Sequence, residues 1–278
     1  MSRLYIMGNE SQLIAHKRVV DTLQGIQFIV PEDGYDPLDS TAVDGIVLLD
    51  IEEKPYWIGA AYEAGIPVLA THPIYRRLTT NDIAKREQQW AHLSIMSHGR
   101  NTVFSRNLAR AQSNMDPSAY FMIDLDLDSC DELLSRAEYV DQAMLGLCDL
   151  LLYTWGPVDL LYSRMRNYFH SGPSADTTTA MLRMRNGVEG FLRVCDFPSH
   201  QPNLRVRSYT GDNLLDVNSI WSFELDDLVG YYRNFHDTVN GTAQPLLALN
   251  QVGESYRLLN WMQKSARSDT LLSFKDSR

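Results

Sequence analysis

The residues of this chain best suited to chemistry stand at the ends of apolar runs. His72 closes the segment Gly65-Ile66-Pro67-Val68-Leu69-Ala70-Thr71-His72-Pro73. An imidazole titrates near neutrality and can exchange a proton with a substrate hydroxyl; a lone histidine at a strand end is more often a structural residue. A second run, Ile46 to Leu49, leads into Asp50-Ile51-Glu52-Glu53. Three carboxylates then crowd the rim where a parallel sheet opens its ligand crevice. They either repel an anionic ligand or form a solvated acidic loop. A third run, Leu4 to Met7, is followed by Gly8-Asn9-Glu10-Ser11-Gln12-Leu13 and a helical pattern, the place where a helix N-terminus can stabilise a phosphate. Glu10 opposes that use: at about 5 Å and an effective dielectric of about 20, a carboxylate facing a phosphate charge costs on the order of 3 kcal/mol. Turned into solvent, it opposes nothing. Gln142 lies on a helix with Asp149 and can orient a hydroxyl, although it cannot act as a general base. Asp141, one position away, is a neighbouring candidate. His170, His200 and His236 have no partner that sequence assigns, and no metal-ligand spacing, Ser-His-Asp order or Walker loop occurs.

The elements that must position these groups follow from periodicity. Leu4 to Met7, Ile26 to Val30, Ile46 to Leu49, Val68 to Ala70 and Leu93 to Met96 read as strands; helices are expected over about 11–23, 56–64 and 81–90. Alternation of this kind specifies a mainly parallel sheet covered by helices. The connection from 31 to 43 holds two prolines and is too short for a further helix and strand, so this sheet is a reduced one. Beyond about residue 98 the pattern becomes long alternating strands. Thr178 to Arg185, Asn186-Gly187 and Val188 to Phe197 form a hairpin signal with positive φ angles expected at the turn, and Leu204 to Arg207 alternate in the next strand. Leu228, Tyr231, Phe235 and Val239 recur at helical spacing, as do Val252, Tyr256, Leu259 and Met262. The expected division is residues 1–97, a Rossmann-like nucleotide-binding type of domain, and 98–278, an α+β domain with an open, mostly antiparallel sheet.

Composition narrows the partners. The 278 residues, 44% hydrophobic and 22% charged, suit a globular chain with two cores. A formal net charge of −10 disfavours nonspecific attraction to nucleic acid or anionic membrane. Cys130, Cys148 and Cys195 are widely spaced and odd in number, which fits a reduced, cytoplasmic setting rather than a disulfide framework or a metal cluster. No targeting segment is read at the N-terminus, and no run approaches the roughly 18 apolar residues of a membrane helix.

The order of elements, with the motifs above, resembles the Gfo/Idh/MocA family of glucose-fructose oxidoreductases, inositol dehydrogenases and their relatives, over nearly the whole chain. The family's first turn is usually Gly-x-Gly-x-x-Gly with a histidine three positions later; Gly8 and His16 match, while Glu10 and Leu13 replace the second and third glycines. Where the family has Thr-Pro beside the nicotinamide, this chain has the Asp50 rim. Its usual Glu-Lys-Pro, with a lysine reaching toward substrate and nicotinamide, is here Thr71-His72-Pro73. Its Asp-x-Gly-x-His-x-x-Asp helix aligns with Gln142 to Asp149, so that Gln142 replaces the aspartate, Gly146 the histidine, and Asp149 remains. His98-Gly99-Arg100-Asn101 is similar to the family's His-x-Arg-Arg segment. The resemblance implies NAD or NADP held by Gly8, Asn9, Glu10, Asp50 and Thr71, a sugar, cyclitol or related small molecule in an interdomain crevice near His98 and Arg100, and catalytic positions at His72, Gln142 and Asp149, with no metal. It also implies a homodimer through the C-terminal sheet. The joint departure of the glycine loop, the lysine and the aspartate-histidine pair implies weak or absent cofactor binding. Two functions follow: an NAD(P)-dependent oxidoreductase, or a cofactor-free relative acting as a binding, regulatory or partner subunit.

Overall fold

The computed structural model describes residues 1–30, 36–49, 53–72, 74, 85–86, 93–112, 119–127, 136–169, 175–196, 203–210, 213–219 and 224–274. The chain divides into two compact units. The first comprises Met1–Ser97, Asn101–Val103 and Phe223–Gly253, and the second His98–Arg100, Phe104–Ser222 and Glu254–Arg278.

In the first unit, β1 (Ser2–Met7), β2 (Ile26–Ile29), β3 (Gly45–Leu48), β4 (Val68–Thr71) and β5 (Leu93–Met96) form a sheet of order β2-β1-β3-β4-β5. All of its pairings are parallel. Ile46, Val47 and Leu48 are completely buried, as strands covered on both faces require. α1 (Glu10–Val20) joins β1 to β2, and α2 (Lys54–Glu63) joins β3 to β4. Between β2 and β3 the described residues 36–44 form turns rather than a helix; the Asp39 carboxylate accepts the Thr41 N–H at 2.8 Å and hydroxyl at 2.6 Å. The chain moves from β2 across β1 to β3, so strand order reverses beside β1, and the crevice of such sheets lies outside the carboxyl ends of the strands at that point. Gly8 follows β1 there and Leu49 follows β3. The helix expected over 81–90 lies largely outside the described residues.

The second unit carries β6 (Tyr120–Leu127), β7 (Val158–Arg166), β8 (Thr177–Met184), β9 (Glu189–Asp196), β10 (Asn203–Thr210), β11 (Asn213–Ser219) and β12 (Leu272–Ser273), in the order β11-β10-β6-β9-β8-β7-β12. Among the described residues, β6 and β9 pair in parallel and the other neighbours are antiparallel. The helices α3 (Val103–Gln112), α4 (Arg136–Trp155) and α6 (Leu249–Ser268) accompany it. One face is apolar and buried, with Phe121, Ile123, Leu125, Leu192, Val194 and Val206 at 0–1% exposure. The other carries a cross-strand ladder in which Arg193 donates to Asp124 at 2.9 Å and Asp126 at 3.1 Å, and Arg207 to Asp124 at 2.7 Å.

Two expectations change. The second half is not one continuous domain: α5 (Leu225–Val239) packs into the first unit, where Leu228, Tyr231, Tyr232 and Phe235 share a core with Leu4, Ile6, Val19, Val47, Leu49 and Met96. Gly45 makes room, since a Cβ there would lie 3.0 Å from the Phe235 ring. The hairpin between β8 and β9 also differs from a two-residue primed turn. Gly187 has φ +94° while Asn186 is not left-handed; Gly187 N–H donates to Met184 O at 3.0 Å and Met184 N–H to Val188 O at 2.8 Å. The loop has three residues, with the glycine alone in the left-handed position.

Candidate functional site

The turn after β1 is closed by its own side chains. Asn9, extended at φ −74° and ψ 164°, caps α1; its Oδ1 accepts the Gln12 N–H at 3.0 Å and the Ser11 hydroxyl at 2.7 Å. Gln12 Oε1 reaches back to accept the Asn9 N–H at 3.3 Å. This reciprocal capping box satisfies donors that a helix start otherwise offers outward. Gly8 is a packing requirement, because a Cβ there would lie 2.9 Å from Leu49 Cβ and Cδ1 and 3.2 Å from Gln12 Oε1. Glu10 is exposed in the first turn, where the helix dipole favours a negative charge. Leu13 packs half-buried on the core. His16 is buried and its Nδ1 lies 2.7 Å from the Tyr232 hydroxyl, which ties α1 to α5.

At the end of β4, Thr71 and His72 are both buried, and the His72 N–H donates to Met96 O at 2.8 Å, extending the pairing with β5. A residue not singled out from sequence lies against this strand end. Lys54, the first residue of α2 and only 4% exposed, donates from Nζ to Thr71 O at 3.1 Å and to Thr71 Oγ1 at 2.7 Å. The helix dipole opposes a cation at that position, and burial of an ammonium costs several kcal/mol. Two Thr71 oxygens offset part of that cost. A lysine followed by Pro55 at a helix start reads as an exposed residue, so sequence carried no signal for this contact. Glu53 is exposed just before α2; Asp50 and Glu52 lie outside the described residues, as does Pro73.

On α4, Gln142 and Asp149 stand two turns apart, with Gln142 and Asp141 half-buried. Asp149 is completely buried; it pairs with Arg100 Nη2 at 2.7 Å and accepts the Ser255 hydroxyl at 3.2 Å. The Arg100 guanidinium lies over the Tyr153 ring, 5.5 Å from its centre. Gly99 rests directly on the helix: a Cβ there would meet Gly146 O at 2.0 Å and Leu150 N at 2.5 Å. His98 is half-buried beside it. Burial, reinforced by the Asp149 charge, pushes the Cys148 thiol far above its ordinary range. Asp149 is thus one half of a buried ion pair. His236, in the first unit, has Nδ1 2.8 Å from Ser2 Oγ; His170 and His200 lie outside the described residues.

The sites are therefore gathered in two groups. Gly8, Asn9, Glu10, Thr71 and His72 stand at the carboxyl edge of the parallel sheet, while Gln142 and Asp149 share one helix of the second unit. Among the described residues no group of His, Cys, Asp or Glu is arranged to hold a metal ion, and no helix is long and apolar enough to cross a membrane.

Solved structures with the same architecture cover almost the entire chain. A putative myo-inositol dehydrogenase from Sinorhizobium meliloti superposes with a TM-score of 0.80 at 10% identity, over 98% of this chain and 99% of that one. A myo-inositol dehydrogenase from Corynebacterium glutamicum gives 0.80 at 12% identity, over 99% of both chains. The WlbA dehydrogenase from Bordetella pertussis, in complex with NADH and UDP-GlcNAcA, gives 0.76 at 17% identity, over 99% of this chain and 97% of that one. The chain has the fold of these dehydrogenases. At such identities the likeness extends to fold alone. No protein-family profile and no curated protein matches the sequence.

Proposed function

We propose that the chain is a dehydrogenase-fold protein that binds a small hydroxyl-bearing ligand at the crevice of its fold and does not transfer hydride in the manner of its structural neighbours, serving instead as a binding, regulatory or partner subunit. The observation that carries this reading is the state of α4. Gln142 and Gly146 stand where the resemblance expects the substrate-facing aspartate and histidine; Gly146 is the point on which Gly99 rests, and Asp149, which the resemblance retains, is paired with Arg100 and Ser255. Gln142 offers hydrogen bonds without a titratable proton.

The nicotinamide dinucleotides that the fold implies do not fit the first turn in the usual way. Asn9 and Gln12 use on each other two of the four backbone donors that the start of α1 would offer a diphosphate, and no step of a reaction is derived through such a cofactor. Calorimetry with NAD(H) and NADP(H) tests the reading. Dissociation constants above about 1 mM, corresponding to roughly −4 kcal/mol or weaker, are expected; a low-micromolar constant together with turnover of a polyol overturns it.

A second reading, an NAD(P)-dependent oxidoreductase of sugars or cyclitols, is favoured by one observation: Lys54 brings a buried ammonium to Thr71, next to His72. On that reading Lys54 and His72 together serve the substrate hydroxyl. Assembly follows from the open face of the seven-stranded sheet, where Met181 is 63% exposed and Tyr120 39%. A second copy covers it, and light scattering is expected to report a mass near twice 31.7 kDa at micromolar concentration; a monomer contradicts this.

A further inference from the structure

We propose that Gln12, rather than Glu10, is the residue that shuts the β1–α1 turn to a phosphate, by standing in for one. The inference rests on the reading that dinucleotides are not used, and it names the cause. Two causes compete on the same helix turn. Glu10 is exposed, so its charge acts through water of high dielectric and is screened over about 8 Å at physiological ionic strength. Gln12 acts at contact distance. Its Oε1 takes the Asn9 N–H at 3.3 Å, as an anion's oxygen would, while its own N–H is taken by Asn9 Oδ1 at 3.0 Å. It also lies over the glycine, 3.2 Å from the position a Gly8 Cβ would occupy, with Leu49 closing the other side at 2.9 Å. The fold's ordinary diphosphate position, a glycine turn leading into a helix start, is therefore filled from within. The box takes the N–H groups of Asn9 and Gln12, so a ligand must break both of its hydrogen bonds to reach them and is otherwise left with those of Glu10 and Ser11, whereas the Glu10 side chain need only stay where it is.

The test compares single substitutions in the full chain, with NADH and inorganic pyrophosphate as probes, read by calorimetry and by the shifts of the Asn9 and Gln12 amide signals in NMR. Gln12→Ala removes the occupying amide and keeps a good helix former; it is expected to strengthen pyrophosphate and NADH binding about tenfold or more. Glu10→Gln is expected to change either by less than threefold. Gln12→Glu retains a side chain able to close the box and is expected to give no gain. Asn9→Gly, which opens the box from its other end, provides a second route should Gln12→Ala fail to fold. A tenfold gain from Glu10→Gln, or none from either Gln12→Ala or Asn9→Gly in folded protein, overturns the proposal. Tight NADH binding by the unmodified chain would refute the function proposed above. It would overturn this inference as well, whereas weak binding that neither Gln12→Ala nor Asn9→Gly strengthens overturns this inference alone.

Discussion

Replacing Asp149 by asparagine tests whether this carboxylate is an architectural residue. The side chain is completely buried and Arg100 is 13% exposed. Removing one member of such a pair leaves the other charge desolvated and uncompensated, a loss of roughly 3–5 kcal/mol. Asparagine keeps an oxygen for the Ser255 hydroxyl at 3.2 Å, which preserves about 1 kcal/mol of hydrogen bonding. Arg100 retains its place over Tyr153. The expected loss for Asp149→Asn is therefore about 3 kcal/mol, or a fall in Tm on the order of 10 °C for a chain of this size. Urea unfolding followed by tryptophan fluorescence and circular dichroism measures it. The partner variant Arg100→Met strands the carboxylate and should cost as much, and the double variant should recover at least about 2 kcal/mol of the summed loss. A single-variant loss below about 1 kcal/mol, or additive losses, would refute the argument. Loss of a measurable dehydrogenase activity at unchanged stability would make Asp149 catalytic and restore the enzyme reading.

Two further outcomes follow from burial. The Cys148 thiol is raised by desolvation and then by Asp149, so below about pH 8.5, the ordinary thiol value, folded and unfolded chains hold the same proton and stability does not depend on it. Above that pH the unfolded chain releases a proton the folded one keeps, and stability should fall by up to about 1.4 kcal/mol per pH unit. Cys195 is raised as well, so Cys148→Ala should flatten but not abolish the fall between about pH 8.5 and 10; an unchanged slope in equilibrium unfolding contradicts the assignment. Three glycines should respond differently to alanine, as thermal melts can show. Gly99→Ala drives a Cβ into backbone at 2.0 Å and should cost about 2 kcal/mol or more. Gly8→Ala meets the Leu49 side chain at 2.9 Å, which can shift, and should cost less. Gly59→Ala, in α2 with nothing within 4 Å, should stabilise by about 0.5–1 kcal/mol.

Periodicity made the framework legible. The apolar runs that became β1, β3, β4 and β5 are buried on both sides and admit few alternatives, and the alternation in β8, β9 and β10 fixed which face lies inward. Periodicity did not show where an amphipathic helix packs. Leu228, Tyr231 and Phe235 signal a buried stripe but not its partner, and only Gly45, small enough to admit Phe235, hints that the partner is the first sheet. The site was legible at the level of substitutions, since Glu10, Leu13, His72, Gln142 and Gly146 stand out by type. Their surroundings were not. The Asn9-x-x-Gln12 spacing is the signature of a capping box, whereas Lys54 does not stand out by type, because burial of its ammonium depends on how the chain closes around it.

The residues that match the family pattern the sequence resembles and those that depart from it separate by what they hold together. His16 reaches the Tyr232 hydroxyl, Asp149 reaches Arg100 and Ser255, and Gly8 lets Leu49 close on the turn; each would damage a core if replaced. The positions that changed have been absorbed differently. Leu13 adds apolar surface to the core, Glu10 favours the dipole of α1 from solvent, and Gly146 lets Gly99 rest on the helix backbone. Each of these residues thus has an account in packing or in the helix dipole. Lys54 is the one to test. Its ammonium is buried at the start of α2 and donates to Thr71 O and Oγ1. Replacing Lys54 by methionine leaves those buried oxygens without this donor and is expected to cost about 1–3 kcal/mol in the same unfolding measurements; an unchanged or raised stability would refute a supporting role for Lys54 at the end of β4.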